Sequence, residues 1–231
     1  MKIMTMDQFL KQPNNKYASS FARRDLIIQN LEDRFARLMN KRKEDFKVII
    51  FNGKDKNQFI FYFKIPSEDI PKLTYDVVLK FIPTTLGCVS NPTLKQYAIN
   101  VFSNSPNFIY TYAYVYNKDE IVVKELKDKL SKQALEEEPK IKNVNLDYGF
   151  EKSVYFALLY MKYNNLDKKM TIKSFLQPTY NFTKIKPMIK NSNSKMIEYT
   201  ALKKQYKLEE KEKLNKIKKD AKRNKNTKFT F

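Results

Sequence analysis

Apolar and polar positions alternate most densely between Lys47 and Tyr116, where β-branched and aromatic residues are also concentrated. The runs Lys47–Phe51 and Gln58–Ile65 flank a polar segment, Asn52–Asn57, that contains Asn-Gly. Two such runs around an Asn-Gly turn predict a β-hairpin. Further runs at Tyr75–Ile82, Tyr97–Phe102 and Phe108–Tyr116 extend this to an antiparallel meander of about five strands, close to the usual sheet size. Pro66, Pro71, Pro83, Pro92 and Pro106 all fall between these runs. Proline cannot donate to a ladder, so their placement agrees with the strand boundaries.

On either side of this region the period changes from two to between three and four. Residues 1–18 read as an arm broken at Gln12-Pro13-Asn14-Asn15, after which Ser19 or Ser20 can cap a helix running to about Lys43. In that helix Ile27, Leu31, Phe35 and Leu38 or Met39 form one apolar stripe, expected to cover the sheet. Lys118–Glu138 predicts a charged helix ended by Pro139, with Ile121, Val122, Leu126, Leu130 and Leu135 along one side. An irregular stretch, Lys140–Gly149, leads to Phe150–Tyr163, the most apolar helical segment and the expected central helix. Thr171–Asn193 carries Pro178, Pro187 and scattered apolar residues without a period, so it predicts an extended arm lying along another surface. From Lys195 to about Arg223 a thin apolar seam returns among charges and predicts a basic helix. The expected class is α+β: an N-terminal arm (1–18), a core domain (19–170), an extended arm (171–194) and a basic C-terminal helix and tail (195–231).

Charge and composition narrow the chemistry. The formal net charge is +20 over 231 residues, which points to a polyanionic partner. Yet Lys, Asn, Ile, Phe and Tyr, all with A/T-rich codons, make up 110 of those residues, and only six of the 45 basic residues are arginine. Base readout and fixed phosphate geometry lean on arginine, so sequence-specific recognition is disfavoured while non-specific contact stays open. There is no histidine, a single cysteine (Cys88) and only three glycines, none near another. His-based acid–base chemistry, Cys/His zinc sites, an internal disulfide and glycine-rich phosphate loops are thereby excluded. No cofactor is expected. No apolar run approaches the roughly 18 residues needed to span a bilayer, and the first residues lack the apolar core of a signal peptide, so folding in a cytoplasm and no membrane partner are expected.

The acidic residues that cluster in sequence, such as Glu136-Glu137-Glu138, diverge by about 100° on a helix and do not converge on one ion. Asp76 is the only acid inside a predicted core strand, and its expected place is the wet face. Contact surfaces are better represented. Arg23, Arg24, Arg34, Arg37 and Arg42 place five of the six arginines on the first long helix, as a solvated face or as a phosphate or subunit contact. Lys216, Lys218, Lys219, Lys222 and Arg223 are the corresponding candidates on the tail. Tyr110, Tyr112, Tyr114 and Tyr116 fall on one face of the last predicted strand, where they could stack bases or face a helix or a neighbouring subunit. With Phe175, Tyr180 and Phe182 they form the candidate subunit contacts.

The run Val101–Tyr112, read as strand, turn and strand, and the helix containing Glu151–Ala157 resemble in style the structural proteins of tailed-bacteriophage virions, over about half of the chain. This resemblance implies a non-enzymatic subunit of the capsid, neck (head–tail connector) or tail, made in the host cytoplasm and resident in the virion. It also implies many copies, arms that lace each subunit to other virion proteins, and possible contact of the basic tail with packaged DNA. The alternative class is a non-specific nucleic-acid-binding protein acting in replication or packaging.

Overall fold

The computed structural model describes residues 4–11, 21–55, 57–139 and 151–226, and within these leaves aside the side chains of 11, 21–27 and 222–226. The expected cap at Ser19 or Ser20, the break after Gln12 and the irregular stretch 140–149 lie outside the described residues.

The fold is α+β, built on one four-stranded antiparallel meander in the order β1-β2-β3-β4. The strands are β1 (Lys47–Asn52), β2 (Phe59–Pro66), β3 (Thr74–Ile82) and β4 (Ala98–Ser103). Phe61 pairs with Ile50 on one side and Leu79 on the other, and Leu79 pairs with Val101. The first hairpin closes where the Gly53 N–H donates to the Gln58 carbonyl at 2.8 Å. A Cβ on Gly53 would lie 2.5 Å from the Gln58 Cβ, so glycine is needed there for close approach.

Five helices cover the sheet or extend from it: α1 (Met6–Lys11), α2 (Phe21–Arg42), α6 (Lys152–Tyr163), α7 (Lys169–Phe175) and α9 (Ser192–Asn226). The short helices α3 (Leu86–Ser90), α4 (Ala113–Lys118), α5 (Lys132–Glu136) and α8 (Phe182–Ile185) lie in the connections. Alternation along β2 sends Phe59, Phe61, Phe63 and Ile65 to one face. That face meets α6, where Phe63 packs edge-on against Tyr160 and the Ser103 hydroxyl lies 3.4 Å from that of Ser153. The stripe of α2 packs onto α6 in turn, with Phe35 against Phe156 and Tyr163. The opposite face carries Phe51, Tyr62, Asp76 and Lys80. It is covered by the segment around α8, where Phe182 packs edge-on against Phe51 and lies under the Lys80 ammonium. Both sheet edges are closed by single bridges, Ile50 with Leu176 on β1, and Ala98 with Thr5 and Val101 with Val122 on β4. Lone bridges of this kind blunt edges that would otherwise invite another strand.

The structure corrects four expectations. The sheet has four strands, because Phe108–Tyr112 is a π-helical turn that continues into α4. The aromatic row repeats every two residues, so every second member is four apart. Phe108, Tyr112 and Tyr116 therefore share one buried helical face, while Tyr110 is 59 % exposed. Lys118–Glu138 is not one helix: Glu120 takes φ 60°, and Ile121, Val122 and Val123 are all buried beside β4. Three consecutive apolar residues cannot share a helix stripe, and here they run beside the sheet edge before a 3-10 turn (Lys124–Lys129) and α5. The stretch 171–194 is not extended throughout. It forms the rest of α7, α8 and the turn Lys186–Met188, and buries Ile172, Ile185 and Ile189. Asp76 is buried, at 4 % exposed, and not on a wet face.

Residues 4–11 also join the core: Met4, Met6 and Phe9 are buried, and Phe9 packs edge-on against Tyr116.

Phe63 is fully buried between the sheet and α6. Phe63→Ala is expected to cost about 3–5 kcal/mol in urea unfolding, with an unchanged m-value.

Candidate functional site

Two arginines of α2 serve the fold. Arg34 grips Glu68 through two parallel bonds, 3.0 Å from Nε and 2.8 Å from Nη2, and Lys152 reaches the same carboxylate at 2.7 Å. Burial pushes the Glu68 carboxyl up, but the hydrogen bonds from Arg34 and Lys152 outweigh it and hold the group below the ordinary value. Arg42 bonds Asp45 at 2.6 Å and the Ser67 carbonyl at 2.7 Å. Together these contacts tie the β2–β3 connection to α2 and to the start of α6. Arg37 is exposed, while positions 23 and 24 lie in the first turn of α2. The expected arginine face is thus divided, with its second half partly consumed by internal ion pairs.

The tyrosine row is divided as well. Tyr112 and Tyr116 are core residues, and the Tyr114 hydroxyl donates to Glu138 at 3.1 Å. Of the remaining expected subunit contacts, Phe175 is 55 % exposed, whereas Tyr180 and Phe182 are half-buried. Tyr110 and Phe175 are the two that present an open aromatic surface.

A cleft of about 1060 Å³ lies between the start of α6, the turn after β4, α5 and α9. Its walls carry both signs of charge, with Arg34, Lys152 and Lys203 facing Glu68, Glu137 and Glu210. Its floor holds the buried Glu151 carboxylate, which accepts from the Ser105 hydroxyl at 2.9 Å, the Ser153 hydroxyl at 2.5 Å and the Val154 amide at 3.0 Å. Glu151 thus caps α6 with its charge beside the positive end of the helix dipole. Pro139 and Glu151, which flank the stretch between them in the chain, both line the cleft.

Helix α9 starts within the molecule and leaves it. At its base the Lys195 ammonium, 2 % exposed, donates to the Thr74 carbonyl at 2.6 Å and to Glu198 at 2.9 Å. Alongside, the Asp76 carboxylate accepts from the Tyr62 hydroxyl at 2.9 Å, the Asn104 amide at 2.7 Å and the Lys190 N–H at 3.4 Å. Burial, and then the Asp76 charge, push the Tyr62 hydroxyl far above its ordinary value, so it stays a donor. Tyr199 and Tyr206 line the cleft, and beyond them every residue from Lys207 to Ala221 is exposed. Lys216, Lys218 and Lys219 lie on this free portion, and positions 222 and 223 continue it. The cleft and the anchor at Lys195 carried no signal in the sequence, because each is assembled from segments far apart in the chain.

Cys88 is buried in α3, and hydrogen bonding with Thr84 outweighs burial to bring its thiol down to about 7. Among the described residues no group of three His, Cys, Asp or Glu side chains is placed to hold a metal ion, and no helix is long and apolar enough to cross a membrane. No protein-family model matches the chain, and no curated protein or solved structure is significantly similar to it.

Because its pKa is lowered on folding, Glu68 contributes stability that is complete above the unfolded value of 4.5 and is lost as pH falls through the folded value. Glu68→Gln is expected to destabilise the protein by about 1 kcal/mol at neutral pH, since it leaves Arg34 and Lys152 with a weaker acceptor. In chemical denaturation across pH, the gap between variant and parent should close as the medium is acidified.

Proposed function

We propose that this chain is a non-enzymatic structural subunit of a tailed-bacteriophage virion, joined to its neighbours by the free portion of α9 and by exposed aromatic residues of the core. The observation that carries the reading is the contrast within one helix. The 35 residues of α9 span about 52 Å at ~1.5 Å per residue. Its base is fixed by a buried ammonium, and its outer portion is exposed on all sides. A helix with so little apolar contact is marginal in water and gains its stability from packing, so a projecting one is suited to packing against a neighbour. Exposed Ile197 and Leu208, nearer the base of α9, supply apolar area for that contact. The segment 171–194 covers its own sheet, which leaves α9 as the outward arm.

The part of the tail free of the core begins after Glu210, since Lys195 is buried and Tyr199, Tyr206 and Glu210 line the cleft. Truncation after Glu210 is expected to shift the melting temperature by no more than about 3 °C. The truncated chain should also fail to enter particles, as followed by mass spectrometry of a sucrose-gradient particle fraction. Normal incorporation of the truncated chain, or absence of the full chain from particles, would remove this reading.

A further inference from the structure

We infer that the outer turns of α9 form a sequence-independent contact for the phosphate backbone of duplex nucleic acid. This deepens the assembly reading by naming the chemistry of one neighbour, and its test separates the two.

Charge is not spread evenly along the helix. Glu209, Glu210 and Glu212 offset the lysines of the middle turns, whereas positions 213–226 hold seven basic residues and only one acidic residue, Asp220. At about 100° per residue, positions 216 and 223 fall on one flank and positions 218 and 225 on the other, roughly 160° away, with 219 and 222 between them. Leu214, Ile217 and Ala221 share the remaining strip, which is one side chain wide. A protein groove would bury a broad apolar face, and this strip is too narrow to provide one. Two cationic flanks suit a different site. A helix about 10–12 Å across fits a major groove about 12 Å wide, with a phosphate wall on each side. Lys216, Lys218 and Lys219 are exposed, and lysine acts as a point charge without the fixed fork that reads bases. The contact is therefore set by backbone charge.

The test uses the full-length protein and a fluorescein-labelled mixed-sequence duplex of about 30 base pairs, followed by anisotropy across a salt series. Binding should weaken steeply and log-linearly with salt. The triple variant Lys216→Gln, Lys218→Gln, Lys219→Gln should bind about tenfold more weakly at low salt and lose about 2.7 from the slope. A control triple of exposed core lysines, Lys118→Gln, Lys124→Gln, Lys132→Gln, removes the same charge and should change affinity less than about twofold. Circular dichroism would verify that each variant keeps its helix content. Equal losses in the two triples would reduce the effect to net charge and overturn the proposal, as would a parent protein that does not bind. Polyglutamate displacing the labelled duplex as well as unlabelled duplex does would reassign the surface to an acidic protein. DNA binding lost with particle incorporation intact would remove this contact from the assembly and leave the assembly reading standing. A full-length chain that binds duplex but is absent from particles would remove the assembly reading and leave this contact standing.

Discussion

A four-stranded sheet that is apolar on both faces cannot rest against water on either. Six of the eight residues of β2 carry hydrophobic side chains that are buried, and they alternate between the two faces. The chain must therefore supply two covers, and it does so from distant places. Helix α6, backed by α2, lies on the face of Phe61 and Phe63, while the chain around α8 and the base of α9 lies on the face of Tyr62 and Asp76. This requirement explains why most of the C-terminal third is not an appendage. Only after the second face is closed can α9 leave the body of the molecule.

Polar groups fix how those covers are seated. Hydrophobic burial is non-directional, but Asp76 and Glu68 each accept several hydrogen bonds from groups distant in sequence, and Glu151, besides capping its own helix, accepts one from Ser105, so that they permit one arrangement. Removing one partner from such a group leaves a desolvated charge, which costs more than the intact contact contributes. The Asp76 cluster is shared by β2, β3, the turn after β4 and the chain entering α9, so it joins the sheet to its second cover.

How much of this could be read from the chain depended on whether local patterns had one meaning. Strands β1 to β4 were legible because β-branched and aromatic runs were bounded by prolines and by one Asn-Gly turn. The row Phe108–Tyr116 was misleading because a four-residue aromatic spacing satisfies a strand and a helical face equally well. Ile121–Val123 was absorbed into a helix because charges on both sides concealed three consecutive apolar residues. Of the arginine face, Arg34 and Arg42 turned inward to partners, Glu68 and the Ser67 carbonyl, that lie in another segment. The lysines at 216, 218 and 219 were legible as exposed, since the apolar seam among them is too thin to draw them inward. Lys195 was not, because its burial depends on the Thr74 carbonyl 121 residues earlier in the chain.

The ammonium at the base of α9 also has a mechanical meaning. A rod of about 52 Å held at one end acts as a lever, so a tilt of about 5° at its foot moves the tip by about 4.5 Å. Force applied at the tip arrives at Thr74, the first residue of β3, which pairs with Pro66 of β2. The rod is thus mounted on the sheet, so any tilt at its root is passed directly between the tip and the core.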